Sequence, residues 1–134
     1  MNVNDLLGKT KYTSELQFEP QNIDFTTDDS YVIVNNEHFV MWTNVVTKAK
    51  TSIKLFDTIL FAGITGDNSK IVVSTPFNVY TYNFRGQKIG TFHLENTSNA
   101  FCVVYNKIYS SNNNKVLVYS TSGKKIDSLD LKNV

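Results

Sequence analysis

The apolar residues of this chain fall in short runs, and clusters of Asp, Asn, Gly and Ser separate the runs. Runs rich in Val, Ile, Tyr, Phe and Thr are typical of β-strands, and the polar clusters are typical of tight turns. No segment keeps the 3.6-residue period of an amphipathic helix. The pattern predicts three successive units of four strands each: Asn22–Thr26, Tyr31–Val34, Phe39–Thr43 and Ser52–Phe56; Thr58–Ile64, Lys70–Ser74, Val79–Asn83 and Lys88–Leu94; Ala100–Tyr105, Lys107–Ser110, Lys115–Ser120 and Lys125–Leu131.

The residues ahead of the first unit form an N-terminal arm in this interpretation. Asn4 and Gly8 are suitable as cap and stop of a short helical turn over Asp5–Gly8. Lys11–Glu19 reads as a thirteenth strand. We expect this surplus strand to cover an exposed sheet edge or to complete a sheet in a neighbouring subunit.

The three units repeat at a regular spacing. An aromatic residue closes the third strand of each unit, and an apolar residue opens a run eleven positions earlier. The aromatics lie 40 and 37 positions apart, which is the period of four-stranded propeller blades. We therefore expect equivalent positions within each of two triplets: Trp42, Tyr82 and Tyr119, and Tyr31, Ile71 and Ile108.

A glycine follows the second and third aromatics at the same distance. Gly86 and Gly123 are expected at positive φ in the turns between third and fourth strands, where a Cβ is costly. In the first unit, residues 44–47 take the place of the glycine-containing turn and lengthen the connection between the third and fourth strands.

The tail of each unit resembles the repeats of WD-repeat and NHL-repeat propellers. In residues 70–86 an apolar strand, a turn with Asn78, a second apolar strand and the turn Gly86 follow one another at NHL-like spacing, and 108–123 repeats this order with Asn114. The Trp-Asp and Gly-His pairs of WD repeats are absent. The resemblance covers residues 22–131 and implies an all-β fold of three consecutive four-stranded antiparallel propeller-like blades. A β-sandwich is the alternative, because spacing alone does not exclude it.

The predicted organisation is one domain over residues 1–134, with an arm at 1–19 and blades at 20–57, 58–95 and 96–134. Known propellers close with about four to eight blades, so three blades leave two apolar faces uncovered. We expect a protein partner to complete the propeller, or a homodimer to do so, unless the chain is a piece of a longer one.

Charge and length exclude some function classes. The net charge is +1, which argues against a dominant role in nucleic-acid binding. The densest basic stretch holds Lys48, Lys50 and Lys54, which we interpret as solvated strand edges. The alternative function, an RNA-binding NHL-like fragment, requires these lysines to converge with Arg85 and Lys88 on one face beside exposed aromatics. No apolar run reaches the length of a membrane helix, so no membrane contact is expected.

The residues that carry chemistry are few. His38 and His93 belong to different units, and neither has a neighbour at metal-ligand spacing. Asp28-Asp29 predicts a turn rather than a calcium loop. Cys102, the single cysteine, is expected to act as a small hydrophobic residue in an inner strand and fits a reducing compartment, hence a cytoplasmic or nuclear protein. We expect no enzymatic activity, no metal and no cofactor.

Loop tips are the predicted functional surface, because rigid propellers present their loops as binding sites. The turns between second and third strands should lie on one face of the disc, together with the links between units at 56–57 and 95–99. The predicted function is a non-catalytic protein–protein interaction module, a subunit of a larger intracellular complex. Its predicted partner-binding residues are Asn36, Glu37, His38, Pro76, Phe77, Asn112 and Asn113, with Asn114 beside them.

Overall fold

The computed structural model describes residues 2–4, 10–13, 18–95, 98, 100–112 and 114–131, with the backbone alone for 2–4 and 10–13. These residues contain fourteen strands and no helix. The predicted helical turn over Asp5–Gly8 and the tip residue Asn113 lie outside the described residues. The strands are β1 (Asn2–Asn4), β2 (Thr10–Thr13), β3 (Asn22–Phe25), β4 (Tyr31–Asn35), β5 (Phe39–Asn44), β6 (Lys50–Lys54), β7 (Phe61–Ile64), β8 (Ile71–Ser74), β9 (Asn78–Tyr82), β10 (Lys88–His93), β11 (Ala100–Val104), β12 (Lys107–Asn112), β13 (Lys115–Ser120) and β14 (Lys125–Asp130).

Strands β3–β14 form three four-stranded antiparallel sheets, each a meander in chain order. We name them blade 1 (β3–β6), blade 2 (β7–β10) and blade 3 (β11–β14). The predicted all-β fold of three consecutive blades is confirmed, and the β-sandwich alternative is wrong, because three sheets pack in series instead of two packing face to face. The strand predicted over Lys11–Glu19 is described over Thr10–Thr13, where it pairs with β1.

Two apolar clusters join the blades face to face. Blades 1 and 2 share Ile33, Val40 and Trp42 on one side with Ile71 and Val73 on the other. The second cluster joins blades 2 and 3, and its buried members are Val72, Val79, Ile108, Leu117 and Tyr119. The core therefore lies between the sheets, where each blade buries apolar residues against its neighbour.

The two later aromatics are equivalent, as predicted. Tyr82 pairs with Ile71 in blade 2, and Tyr119 pairs with Ile108 in blade 3. Both tyrosines lie on the face of their blade that meets the preceding blade.

The prediction for blade 1 is wrong by one residue. Trp42 pairs with Ile33 rather than with Tyr31, and the pair at the equivalent position is Val32 and Thr43. A shift of one residue along a strand moves a side chain to the other face of the sheet. Trp42 therefore faces blade 2, the following blade, whereas Tyr82 and Tyr119 face the preceding one. The predicted aromatic triplet thus includes residues from opposite faces of their blades.

A leucine marks the period of the fold better than the aromatics do. The backbone N–H groups of Leu55, Leu94 and Leu131 donate to the carbonyls of His38, Phe77 and Asn114 at 2.9, 2.8 and 2.6 Å. Each bond ties the end of a blade's outermost strand to the turn between its second and third strands. The leucines lie 39 and 37 positions apart, a signal that the sequence contained and the aromatic spacing concealed.

The turn glycines adopt the predicted conformation. Gly86 has φ 88° and Gly123 has φ 97°, both between third and fourth strands. The connection of blade 1, 45–49, has as many residues as 83–87 in blade 2, so the predicted lengthening is not seen, and Lys48 takes the positive φ there, at 66°. A side chain is tolerated at that conformation in blade 1 at a modest backbone cost.

The turns between first and second strands repeat in blades 1 and 2 as Thr-x-Asp-x-Ser. Asp67 accepts hydrogen bonds from the hydroxyls of Ser69 and Thr65, both at 2.7 Å, and Asp28 accepts one from Ser30 at 2.5 Å. The bonds from Ser69 and then Thr65 lower the pKa of Asp67 to about 2, and bonds from Ser30 and Thr26 lower the pKa of Asp28. The predicted turn at Asp28 is confirmed.

This turn predicts a measurable loss of stability in acid. The pKa of Asp67 is depressed from 3.8 to about 2 in the folded chain, so its contribution is present above the unfolded value and is lost as pH falls toward 2. Asp67→Asn is expected to lower the melting temperature at pH 6 and to match the wild type near pH 2. Asp28→Asn is the matched variant and should follow the same trend. Melting curves of wild type and Asp67→Asn that stay parallel from pH 6 to pH 2 would contradict the assignment.

Candidate functional site

The predicted tip turns of blades 1 and 2 share one face of the molecule, which we name the tip face. The N–H of Ile59, in the link between blades 1 and 2, donates to the carbonyl of Glu37 at 2.7 Å. The N–H of Ser98, in the next link, donates to the carbonyl of Pro76 at 2.8 Å. The turns and the links between blades therefore lie together.

Two of the tip residues in blade 1 are engaged within the blade. The Asn36 side-chain oxygen accepts the N–H groups of His38 and Phe39 at 2.9 and 2.8 Å. The His38 ring nitrogen Nδ1 lies 3.2 Å from the carbonyl of Leu55. These side chains shape the turn, while Glu37 between them is exposed.

Two phenylalanines project from the tip face. Phe77 holds the position in blade 2 that His38 holds in blade 1, but its side chain is 63% exposed. Phe56, in the first link, is 94% exposed. Pro76 and Asn112 are half-buried. The tip face thus presents Glu37, Phe56 and Phe77 to solvent, and the partner-binding role of the tip residues stays a prediction.

Four of the five basic residues named for RNA binding lie at the same end of two adjacent blades. Lys48 and Lys50 lie at the end of blade 1 that carries its last turn, and Arg85 and Lys88 lie at the same end of blade 2. Lys54 lies at the opposite end of β6, with its Nζ 5.5 Å from the centre of the Phe39 ring. Lys54 therefore stands apart from the other four, and the RNA-binding alternative stays a prediction.

The side chains that could act as catalytic groups or metal ligands lie apart from one another. His93 is exposed and its Nδ1 contacts the side-chain oxygen of Asn78. Within the described part of the chain, no three His, Cys, Asp or Glu side chains group as metal ligands would. The same residues include no helix long and apolar enough to span a bilayer.

Cys102 corrects one prediction. It lies on β11, the inner strand of blade 3, as expected, but its side chain is exposed rather than buried. The reason is that it points to the face of blade 3 that no further blade covers. Burial of an inner-strand residue depends on the neighbouring sheet, which the sequence around Cys102 does not reveal.

That face carries an apolar groove with a volume of about 380 Å³. We name it the open face of blade 3. The residues that line it belong to three adjacent strands, and they are Ala100, Phe101, Cys102, Val104, Tyr109, Ser111 and Val116.

Equivalent residues in the other two blades are buried. Ser111 pairs with Val116 as Ser74 pairs with Val79 and Asn35 pairs with Val40. All four residues of blades 1 and 2 in these pairs are 0% exposed, whereas Ser111 and Val116 are half-buried. The open face is therefore a blade interface that lacks its second side.

The other end of the series is partly covered. On the outer face of blade 1, Val32 and Met41 are 2% and 4% exposed. Ile23 and Phe25, on the inner strand β3 of the same face, are 54% and 59% exposed. The exposed apolar side chains at this end are thus those of β3 together with Phe39 of β5, which is 37% exposed.

Comparison with known proteins agrees with this geometry. A scan against protein-family models and a search of the curated proteins give no match. Solved structures do match: apo AztD from Citrobacter koseri has a TM-score of 0.73 at 14% identity, over 92% of this chain and 39% of that chain. Kuenenia stuttgartiensis hydrazine synthase has a TM-score of 0.70 at 16% identity, over 90% of this chain and 40% of that chain. The RRP9 WD40 repeats have a TM-score of 0.68 at 17% identity, over 87% of this chain and 40% of that chain.

This chain spans about two fifths of the solved chains it matches. Identities of this size establish the fold alone. The repeated four-stranded meanders, the apolar layers between them and these similarities lead to one conclusion. The chain has the fold of three consecutive four-stranded β-propeller blades.

Proposed function

We propose that the chain is a non-catalytic protein–protein interaction module, a propeller segment that works as a subunit of a larger assembly. The observation that carries the proposal is the open face of blade 3, where an apolar groove of about 380 Å³ takes the place of a blade interface. Apolar faces of this kind mark sites of protein contact. The ligand that fits a blade face is another blade, so the partner supplies propeller blades.

The tip face is a second contact surface in this proposal. Phe56 and Phe77 are exposed there on turns that backbone hydrogen bonds hold in place. Aromatic side chains on rigid supports are effective contact residues, because little conformational entropy is lost when they bind.

The proposal predicts the effect of a charge on the open face. Val104→Lys is expected to release the tagged full chain from its native assembly, because a desolvated lysine opposes docking of an apolar surface. Ile89→Lys is the matched control, since Ile89 is similarly exposed, at 52% against 55% for Val104, but lies on the outermost strand of blade 2. The measurement is the native mass of each variant in extracts of the protein's own cells.

The wild type and Ile89→Lys are expected at a mass well above 15.2 kDa, and Val104→Lys at a lower mass. A Val104→Lys chain that keeps the wild-type native mass would overturn the proposal.

A further inference from the structure

The tip face allows one further step, which rests on its proposed function as a contact surface. We infer that it binds a segment of a partner protein in which basic side chains stand beside large apolar ones. Phe56 and Phe77 contact the apolar side chains of that segment. The carboxylates of Glu37 and Asp57 select its lysines or arginines.

The link between blades 1 and 2 holds Phe56 next to Glu37. Two backbone hydrogen bonds, from the N–H groups of Leu55 and Ile59 at 2.9 and 2.7 Å, anchor the link to the turn that carries Glu37. Phe56 and Asp57 lie between these two anchors. Phe56 is 94% exposed, and both carboxylate side chains are exposed as well. An aromatic ring thus stands beside two carboxylates on a backbone that hydrogen bonds fix.

Blade 2 presents the same combination with the places exchanged. Phe77 lies on the turn, and Glu95 begins the link to blade 3. The Glu95 carboxylate binds a lysine of the chain itself, since Lys125 Nζ lies 3.0 Å from it. At the tip end of blade 1, Lys54 Nζ lies 5.5 Å from the centre of the Phe39 ring. Lysines within the chain therefore make both contacts that the tip face offers to a basic partner, one to a carboxylate and one to an aromatic ring.

The distribution of charge makes the tip face the acidic side of the molecule. Of the ten lysine and arginine side chains in the described residues, two lie at the tip ends of their strands, Lys54 and Lys115. The other eight lie at the opposite ends, and they are Lys48, Lys50, Lys70, Arg85, Lys88, Lys107, Lys124 and Lys125. The carboxylates at the tip ends include Glu37, Asp57, Glu95 and Asp130. The net charge of +1 therefore conceals a separation of charge.

This charge decides which kind of partner fits the exposed rings. A purely apolar segment would take water away from Glu37 and Asp57 without replacing the lost hydrogen bonds, which costs free energy. The phosphates of a nucleic acid would be repelled by the same carboxylates. A segment with lysine or arginine pairs with the carboxylates, while its apolar side chains cover the two rings.

Glu37 is the carboxylate best suited to a test. Lys88 partly offsets Asp57, because its Nζ lies 5.2 Å from the centre of the Tyr80 ring and the Tyr80 hydroxyl lies 3.5 Å from an Asp57 oxygen. No cation among the described residues forms an ion pair with Glu37. Its side chain is therefore available to a partner.

The test uses the purified full chain and three labelled synthetic peptides of equal length, with binding followed by fluorescence anisotropy. Lysines alternate with leucines in the first peptide. The second has glutamates in place of the lysines, and the third has alanines in place of the leucines. The wild type is expected to bind the first peptide at least about tenfold more tightly than either of the others. Added salt should weaken that binding, because it screens exposed charges.

Phe56→Ser and Glu37→Lys are each expected to weaken binding of the lysine–leucine peptide by about tenfold or more, as central contact residues do. Ile89→Ser and Asp127→Lys are the matched controls, since both residues are exposed on outermost strands away from the tip turns. Their affinities should equal that of the wild type. Glu37→Lys should also bind the glutamate–leucine peptide more tightly than the wild type does. Circular dichroism checks that every variant is folded.

Three results would overturn the inference. One is a wild type that does not bind the lysine–leucine peptide. Another is a wild type that binds the glutamate–leucine peptide equally well, which would assign the contact to the lysine-rich ends of the blades. The third is binding that Val104→Lys abolishes and Phe56→Ser leaves unchanged, because the peptide would then lie on the open face. The native mass of Val104→Lys in cell extracts is independent of these results and tests the proposed function separately.

Discussion

A Trp42→Ala chain is expected to lose about 3–5 kcal/mol of its free energy of unfolding, the usual cost of removing a fully buried tryptophan. Trp42 is 0% exposed and packs between blades 1 and 2. Its indole N–H also donates to the carbonyl of Phe84, in blade 2, at 2.8 Å. The substitution removes the apolar contact and leaves that carbonyl without its donor. Because domains of this size are stable by about 5–15 kcal/mol, the loss is a large share of the total.

Denaturant unfolding followed by circular dichroism measures this effect, since the variant lacks the only tryptophan of the chain. Trp42→Phe is the matched variant: it keeps an aromatic ring, loses the hydrogen bond, and is expected to cost about 1–3 kcal/mol. A loss below about 1 kcal/mol for Trp42→Ala would mean that the junction of blades 1 and 2 contributes little to stability.

Gly123→Val is expected to destabilise the chain by about 1–3 kcal/mol, from backbone strain and from a steric conflict. Gly123 has φ 97°, a conformation that β-branched residues avoid. A Cβ built there lies 2.7 Å from Cγ of Phe92, closer than packed carbon atoms approach. Phe92 packs against Tyr119 with ring centres 5.5 Å apart, so its movement would disturb the core of blades 2 and 3.

Gly86→Val separates the two causes. Gly86 has a similar φ, 88°, but a Cβ there lies 3.1 Å from the Thr51 methyl group. The backbone strain is therefore nearly the same at both glycines, and the steric conflict of the added Cβ is milder at Gly86. Gly86→Val is expected to lower the free energy of unfolding by less than Gly123→Val does. Thermal melts that show no loss for either variant would contradict the role of both turns.

Local features of the fold were predictable because local residues determine them. The strand bounds agree with the apolar runs to within a few positions, and the turn glycines adopt positive φ as their sequence context indicates. Asp28 forms the expected turn through bonds to residues within a few positions. The placement of the predicted tip turns on one face also followed, because alternate connections of a meander lie at the same end of the sheet.

The role of individual site residues was less predictable. His38 and Phe77 occupy equivalent turn positions, yet one ring bonds a backbone carbonyl and the other is exposed. The count of three blades predicted uncovered blade faces, but it did not predict which residues are exposed there, since Cys102 lies in a run of apolar residues that reads as a buried strand. The spacing of Trp42 likewise does not reveal which face of the sheet the side chain takes.

The sequence by itself determined that this chain is all-β, that its strands group in fours, and where its tight turns fall. Those properties depend on interactions between residues close in the chain, such as the alternation of side chains and the freedom of glycine at positive φ. The tertiary structure alone decided that Trp42 faces blade 2 and that Val104 and Cys102 remain exposed. Burial is a property of the sheet packed against a residue, and that sheet lies far away in sequence or, at the open face of blade 3, outside these three blades.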